Sequence, residues 1–411
     1  MIKRILSLLL ALLFPLLLLC SCAERTDRVT TLYVYNWGEY ISDGSEDSYD
    51  SNGAFEEWYY ETYGERVQVN YSTYSSNESL YAKLSSGSVS YDVICPSDYL
   101  IERLINEDML APLDYNNIPN AATNLRPEFF GETARFDYYD KGSVYSIPYF
   151  YGMIGVIYNT TMVEETEESI GSWGLMWNER YSGNILQFNN SRDAFGTAQY
   201  YLGIDVNTDD PDEWRQALEL LKAQKSIVQG YVMDEIYNKM ENGSAAIGTY
   251  YAGDFLAMYE GNEDLEFFYP KEGTNLYVDA MCIPKNSENK LIAERYINFM
   301  LEEEPAIANA EYTYYASPNK LVYENEDYQE YMNSIKEDGF EKIYDSEGIE
   351  NATYYVNLTE DKLVLINSLW EELKSDIDIA VVIYILCAVI LLTLIGLLSF
   401  FGIRKRYRND Y

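Results

Sequence analysis

Four short segments of the chain set aromatic rings beside carboxylates: Trp37-Gly38-Glu39-Tyr40, Ser97-Asp98-Tyr99, Asn190-Ser191-Arg192-Asp193 and Tyr277-Val278-Asp279. Two tyrosine pairs, Tyr250-Tyr251 and Tyr314-Tyr315, add phenols at further turns. A ring face within about 6 Å of an ammonium stabilises it by roughly 0.5–2 kcal/mol through the ring quadrupole. A carboxylate accepting a hydrogen bond from a charged amine adds roughly 1.5–3 kcal/mol. Rings also cover methylene groups, so these residue types suit a flexible alkyl chain carrying two or three amines. A single segment of this kind carries little weight, because 42 of the 411 residues are Tyr.

The surrounding elements place these segments at strand ends. Residues 31–37, 67–74 and 91–95 read as strands. The pattern predicts a helix over 54–63 stopped by Gly64. Ser75-Ser76-Asn77-Glu78 supplies a Ser-x-x-Glu capping box for a helix through Leu84. Ser97 or Asp98 caps another helix that runs toward Leu110. Asp210 and Pro211 suit the N-cap and first position of a helix reaching Lys225. Its Trp214, Leu218 and Leu221 recur at helical spacing and read as core, as do Ile292, Tyr296, Phe299 and Met300. A last amphipathic helix covers 363–373. Alternating strands and helices predict an α/β fold, and open α/β sheets bind ligands in the crevice at the carboxyl ends of their strands.

The formal charge of the whole chain is −38. Residues 23–378 are more acidic still, because Lys3, Arg4, Arg404, Lys405, Arg406 and Arg408 all lie outside them while only Asp410 does among the acids. Nucleic acid and anionic membrane surfaces are therefore poor partners, and cations are good ones. No histidine occurs, which excludes Ser-His and Cys-His nucleophile pairs and imidazole zinc sites. Of the five cysteines, Cys95 and Cys282 sit in short apolar runs before a Pro and read as core thiols, with a disulfide between them the alternative.

Both ends carry membrane signals. Lys3 and Arg4 precede an apolar run in residues 1–21, the layout of a secretory signal. Leu19-Cys20-Ser21-Cys22 resembles a bacterial lipobox, which would place a lipid on Cys22; ordinary cleavage nearby is the alternative. Residues 379–402 contain no charge and are long enough to cross a hydrocarbon core of roughly 30 Å. The basic residues that follow predict a cytoplasmic tail at 403–411 and an extracytoplasmic chain before the span.

From about Thr31 to Lys374 the sequence resembles the spermidine/putrescine-binding proteins of bacterial polyamine ABC transporters. The segments that carry the likeness include "LYVYNWGEYIS", "YDVICPSDYLIERLINEDML", "SWGLMWNERYSGNIL", "YVDAMCIPKN" and "YYASPN". The resemblance implies a two-lobed α/β type II periplasmic-binding-protein fold, beyond the signal segment and the single C-terminal transmembrane helix. Lobe 1 would comprise 30–151 and 278–323, and lobe 2 would comprise 152–277 and 324–375, with hinge crossovers near Tyr149 and Tyr277. It further implies a binding site at Trp37, Glu39, Tyr40, Ser97, Tyr99, Asn190, Asp193, Tyr251, Tyr277, Asp279 and Tyr315. Trp37 would stack on the alkyl chain, while Asp193 and Asp279 would receive amines. Four positions depart from the family pattern. Asn190 stands where a second Asp is usual, Tyr251 and Tyr277 stand where Trp is usual, and Gly38 replaces a hydroxyl residue. No cofactor is implied. The partners would be a small polyamine, ABC permease subunits and their ATPase, which must be another polypeptide because the chain has no Gly-rich P-loop.

Three other readings compete. A ferric-ion carrier of the same fold could use phenolates such as Tyr250-Tyr251. A membrane-anchored sensory or adhesive ectodomain would suit the span. A glycosidase would need two acids at a fixed separation, which nothing in the sequence supplies.

Overall fold

Val, Ile, Tyr and Phe concentrate in the strands, and a mixed sheet of ten strands results among the described residues. The computed structural model describes residues 29–375, apart from 46–47, 88, 165 and 345–351. The expected signal segment, Cys22, the apolar run 379–402 and the tail thus lie outside the described residues. Among the described residues, no helix is long and apolar enough to cross a membrane.

The strands are β1 (Thr30–Trp37), β2 (Val67–Tyr74), β3 (Val93–Ile94), β4 (Ser146–Asn159) and β5 (Ile185–Phe188). They continue with β6 (Val228–Val232), β7 (Ile247–Tyr251), β8 (Leu265–Phe268), β9 (Thr274–Cys282) and β10 (Ala352–Thr353). Their order is β2-β1-β3-β9-β4-β7-β5-β6, with β8 on β4 and β10 on β9. The β1–β2, β1–β3, β5–β6 and β5–β7 pairs are parallel, and each pair belongs to one half of the sheet. The long antiparallel strands β4 and β9 join the halves. Ser146 to Met153 of β4 pairs with β9, and Ile154 to Tyr158 then pairs with β7. Two α/β lobes therefore share two crossing strands.

Helices cover the sheet, and local chemistry sets their ends. The helix Ser51–Tyr63 begins three residues earlier than the sequence suggests, because the Asp50 side chain accepts from the Gly53 amide. Gly64, at φ 69°, ends it as expected. The capping box belongs to Ser76 and Ser79 rather than Ser75 and Glu78, so Glu78 is released for another use. The helix Asp98–Asn106 stops short of Leu110, and β3 is shorter than the expected 91–95 strand. Asp210 and Pro211 start the helix Pro211–Lys225 as predicted. The final helix, Glu360–Lys374, packs Ile366, Leu369 and Leu373 against Trp214, Leu218 and Leu221 in a separate apolar cluster.

Cys95 and Cys282 are buried free thiols on adjacent strand segments, as core residues rather than a disulfide. At Gly155 in β4 a Cβ would lie 2.7 Å from the Phe268 carbonyl oxygen and 2.2 Å from the Phe267 ring, so only Gly lets β8 approach this closely.

Candidate functional site

The parallel strands of both lobes point their carboxyl ends at one crevice. Trp37 ends β1, and Glu39 (φ 48°, left-handed) and Tyr40 follow in the turn. Ser97, Asp98 and Tyr99 follow β3 and open the helix Asp98–Asn106. From the second lobe come Asn190 and Asp193 after β5, Asp234 after β6, and Tyr250 and Tyr251 at the end of β7. Tyr277 and Asp279 lie on the crossing strand β9. All eleven residues expected at the site line a single cavity. The cavity volume is ≈ 60 Å³.

Aromatic rings form its walls. Tyr40 lies edge-on to Tyr315 (4.9 Å between centroids) and Phe150 (5.3 Å), Tyr251 edge-on to Tyr277 (5.3 Å), and Trp37 tilts over Tyr74 at 4.6 Å. Phenols hold the acids. Tyr40 donates to Asp279 Oδ2 at 2.6 Å, and Tyr251 donates to Asp193 Oδ2 at 2.8 Å. Tyr237 and Tyr315 both donate to Asp254, and Tyr138 donates to Asp98. Asp279 Oδ1 is buried with no hydrogen-bond partner. The Ser97 hydroxyl, which accepts from Asn77 Nδ2 at 3.0 Å, is near enough to favour the Asp279 anion but does not close a bond to Oδ1.

The lining carries seven carboxylates, Glu39, Glu78, Asp98, Asp193, Asp234, Asp254 and Asp279, and no Lys or Arg. Burial pushes Asp279, Asp98 and Asp254 up to about 7, and Asp193 up to about 6, even against the phenol and amide bonds that favour their anions. Glu39 is also raised, first by burial and then by Asp234 and Asp43. Burial, followed by nearby carboxylates, holds the Tyr40, Tyr250, Tyr251, Tyr277 and Tyr315 hydroxyls well above 10. Without a bound cation these phenols stay protonated donors. Tyr250 and Tyr251 donate hydrogen bonds to Asp234 Oδ1 and Asp193 Oδ2. Among the described residues, no group of three or more Cys, Asp or Glu converges as a metal site.

Several lining residues escaped sequence reasoning. Asp234 follows β6, a strand too mixed in burial to stand out, and Asp254 opens the helix Ala252–Gly261 behind Tyr250-Tyr251. Glu78 meets the Tyr99 hydroxyl at 3.2 Å, a use concealed by its assignment to the capping box. Tyr355 comes from a segment with no signal of its own. Asn190 has a second role. Asn190 lines the cavity, but its side chain caps the helix Ser191–Leu202: Oδ1 accepts from the Asp193 amide at 2.8 Å and Nδ2 donates to Asp193 Oδ2 at 2.7 Å. Its carbonyl thus already accepts one hydrogen bond and keeps one lone pair for an amine. At Gly38 a Cβ would sit 2.8 Å from Asp234 Oδ2 across the cleft, so a larger residue would push that exposed carboxylate aside.

Residues 54–335 match the bacterial extracellular solute-binding protein family. The chain belongs to this family. A spermidine/putrescine-binding periplasmic protein of Salmonella typhimurium is 32% identical to this solute-binding protein over 300 residues, 73% of the present chain and 80% of the relative. The substrate-binding protein of the spermidine/putrescine ABC transporter of Streptococcus pneumoniae superposes with a TM-score of 0.64 at 32% identity, covering 84% of this chain and 98% of that one. A Listeria monocytogenes structure described as a spermidine/putrescine ABC transporter gives a TM-score of 0.73 at 31% identity, over 84% and 99% of the two chains.

Proposed function

We propose that this solute-binding protein is the extracytoplasmic receptor of a polyamine importer, closing on a linear diamine or triamine of the putrescine/spermidine class. One observation carries the reading: a ring-walled slot holds seven carboxylates without a basic side chain, and one of them, Asp279, keeps its buried Oδ1 without a hydrogen-bond partner. Such a slot repels anions and leaves neutral solutes facing unpaired acids. An ammonium satisfies Asp279 Oδ1 and shifts the raised carboxyls back toward their charged forms. The eleven lining residues anticipated from sequence act as contacts or supports, with Asp279 and Asp193 at the amines and Trp37 over methylenes.

Lobe 1 (30–151 and 278–323) and lobe 2 (152–277 and 324–375) close about β4 and β9, and the closed form docks on permease subunits whose ATPase is a separate chain. Residues 379–402 anchor the protein to the membrane, with a lipid at Cys22 as a second tether. The helix before the anchor is held to lobe 2, since Lys225 Nζ donates to the Leu373 carbonyl at 2.6 Å.

The test is a thermal-shift panel on the detergent-solubilised full chain with putrescine, cadaverine, spermidine, spermine and Fe³⁺. The melting temperature rises with amine concentration if the reading holds. No shift with any amine overturns it, and a visible charge-transfer band with Fe³⁺ would favour the ferric carrier instead.

A further inference from the structure

Residues 352–358 touch both lobes without being part of either crossing strand. Their backbone is fixed to the second lobe. β10 pairs with β9 at Ala352–Thr274 and Thr353–Asn275, and Thr353 Oγ1 meets the Tyr200 hydroxyl at 2.5 Å. Asn207, which follows β5 and its helix, donates to the Tyr354 carbonyl at 2.8 Å and accepts from the Val356 amide at 3.0 Å. The grip on the first lobe is of another kind. The Tyr354 ring stacks on Tyr138 at 3.7 Å and 18°, Tyr355 stands edge-on to Tyr99 at 6.1 Å, and the Asn357 amide donates to Glu102 Oε2 at 2.8 Å.

We propose that residues 352–358 form a clasp that holds the cleft shut, with Tyr354, Tyr138, Glu102 and Asn357 as positioning residues for ligand capture. None of these four lines the cavity. Opening the lobes about β4 and β9 leaves the β9 and Asn207 bonds in place, because both belong to the second lobe. It must separate the stacked rings and the Asn357–Glu102 bond, because their partners move with the first. The clasp is also tied to the cleft wall from both sides. Tyr138 donates to Asp98, and the Arg192 guanidinium lies 4.5 Å from the Tyr355 ring, next in sequence to Asp193. Contacts made only in the closed form lower the rate of ligand escape.

The inference rests on the polyamine reading for its binding assay, so a second measurement needs no ligand. Stopped-flow fluorescence on the full chain in detergent follows putrescine association and release for wild type, Tyr354→Ala and Tyr354→Phe. Tyr354 is 41% exposed, so its truncation leaves the core intact. Tyr354→Ala should speed release about threefold to tenfold, the worth of an aromatic pair, with Tyr354→Phe behaving as wild type. Unchanged release in Tyr354→Ala overturns the clasp. If wild type binds no amine, the polyamine reading fails and the clasp is judged by hydrogen exchange on the unliganded chain. The Asn357 amide should then be protected in wild type and exposed in Glu102→Ala, and equal exchange in the two overturns it.

Discussion

Replacing Asp279 with Asn changes one oxygen at the centre of the slot. Oδ2 is engaged by the Tyr40 hydroxyl at 2.6 Å, and Oδ1 has no partner. In Asp279→Asn the amide carbonyl takes the Tyr40 proton, and the NH₂ group falls where Oδ1 was. That turns the acceptor meant for an ammonium into a second donor. The loss is one charged hydrogen bond, roughly 1.5–3 kcal/mol, or about a 10–100-fold rise in Kd. Stability should move the other way. Burial has pushed the carboxyl up to about 7, so at pH 8 the unliganded wild type keeps a charge buried at a cost that Asn removes. Titration calorimetry with putrescine and a melting curve at pH 8 read both quantities. A Kd within twofold of wild type refutes the assignment of Asp279 as the amine acceptor. A fall in the unliganded melting temperature refutes the account of its burial.

Two further outcomes follow from the same geometry. Asp98, Asp254 and Asp279 near 7 and Asp193 near 6 bind protons in the folded state that the unfolded chain gives up near pH 4. Their stabilisation is complete below about pH 4 and is lost as pH rises toward 7, so the unliganded melting temperature should fall between pH 5 and pH 8. Saturating diamine should flatten that slope, and binding below pH 7 should release protons, read by calorimetry in buffers of different ionisation enthalpy. Asn190→Asp keeps the helix cap but loses the bond to Asp193 and sets a like charge beside it. The unliganded protein should lose about 1–3 kcal/mol in urea denaturation at pH 8, and spermidine should gain affinity relative to putrescine; an unchanged preference between the two amines would count against an amine site at this position.

Local signals were strong where one residue type has one use. Gly64 and Asp210-Pro211 ended and began helices where expected, since αL geometry and a fixed φ do not depend on the rest of the chain. The capping box slipped by one residue because Ser75 and Ser76 offer the same hydroxyl, and packing chose between them. Asp234, Asp254 and Tyr355 gave no local sign of their role. Each looks like an ordinary surface or helix-start residue until distant strands bring it to the crevice.

Residue types alone favoured a cation with apolar length, since acids set beside rings suit one, and a chain without histidine cannot do imidazole chemistry. Only the tertiary structure decided which acids are buried together at one cavity. Asp279 and Asp193 differ from dozens of solvated carboxylates in being buried at the meeting of two lobes. Desolvation, a property of everything folded around a group rather than of the group, raises their proton affinity and makes a bound ammonium favourable.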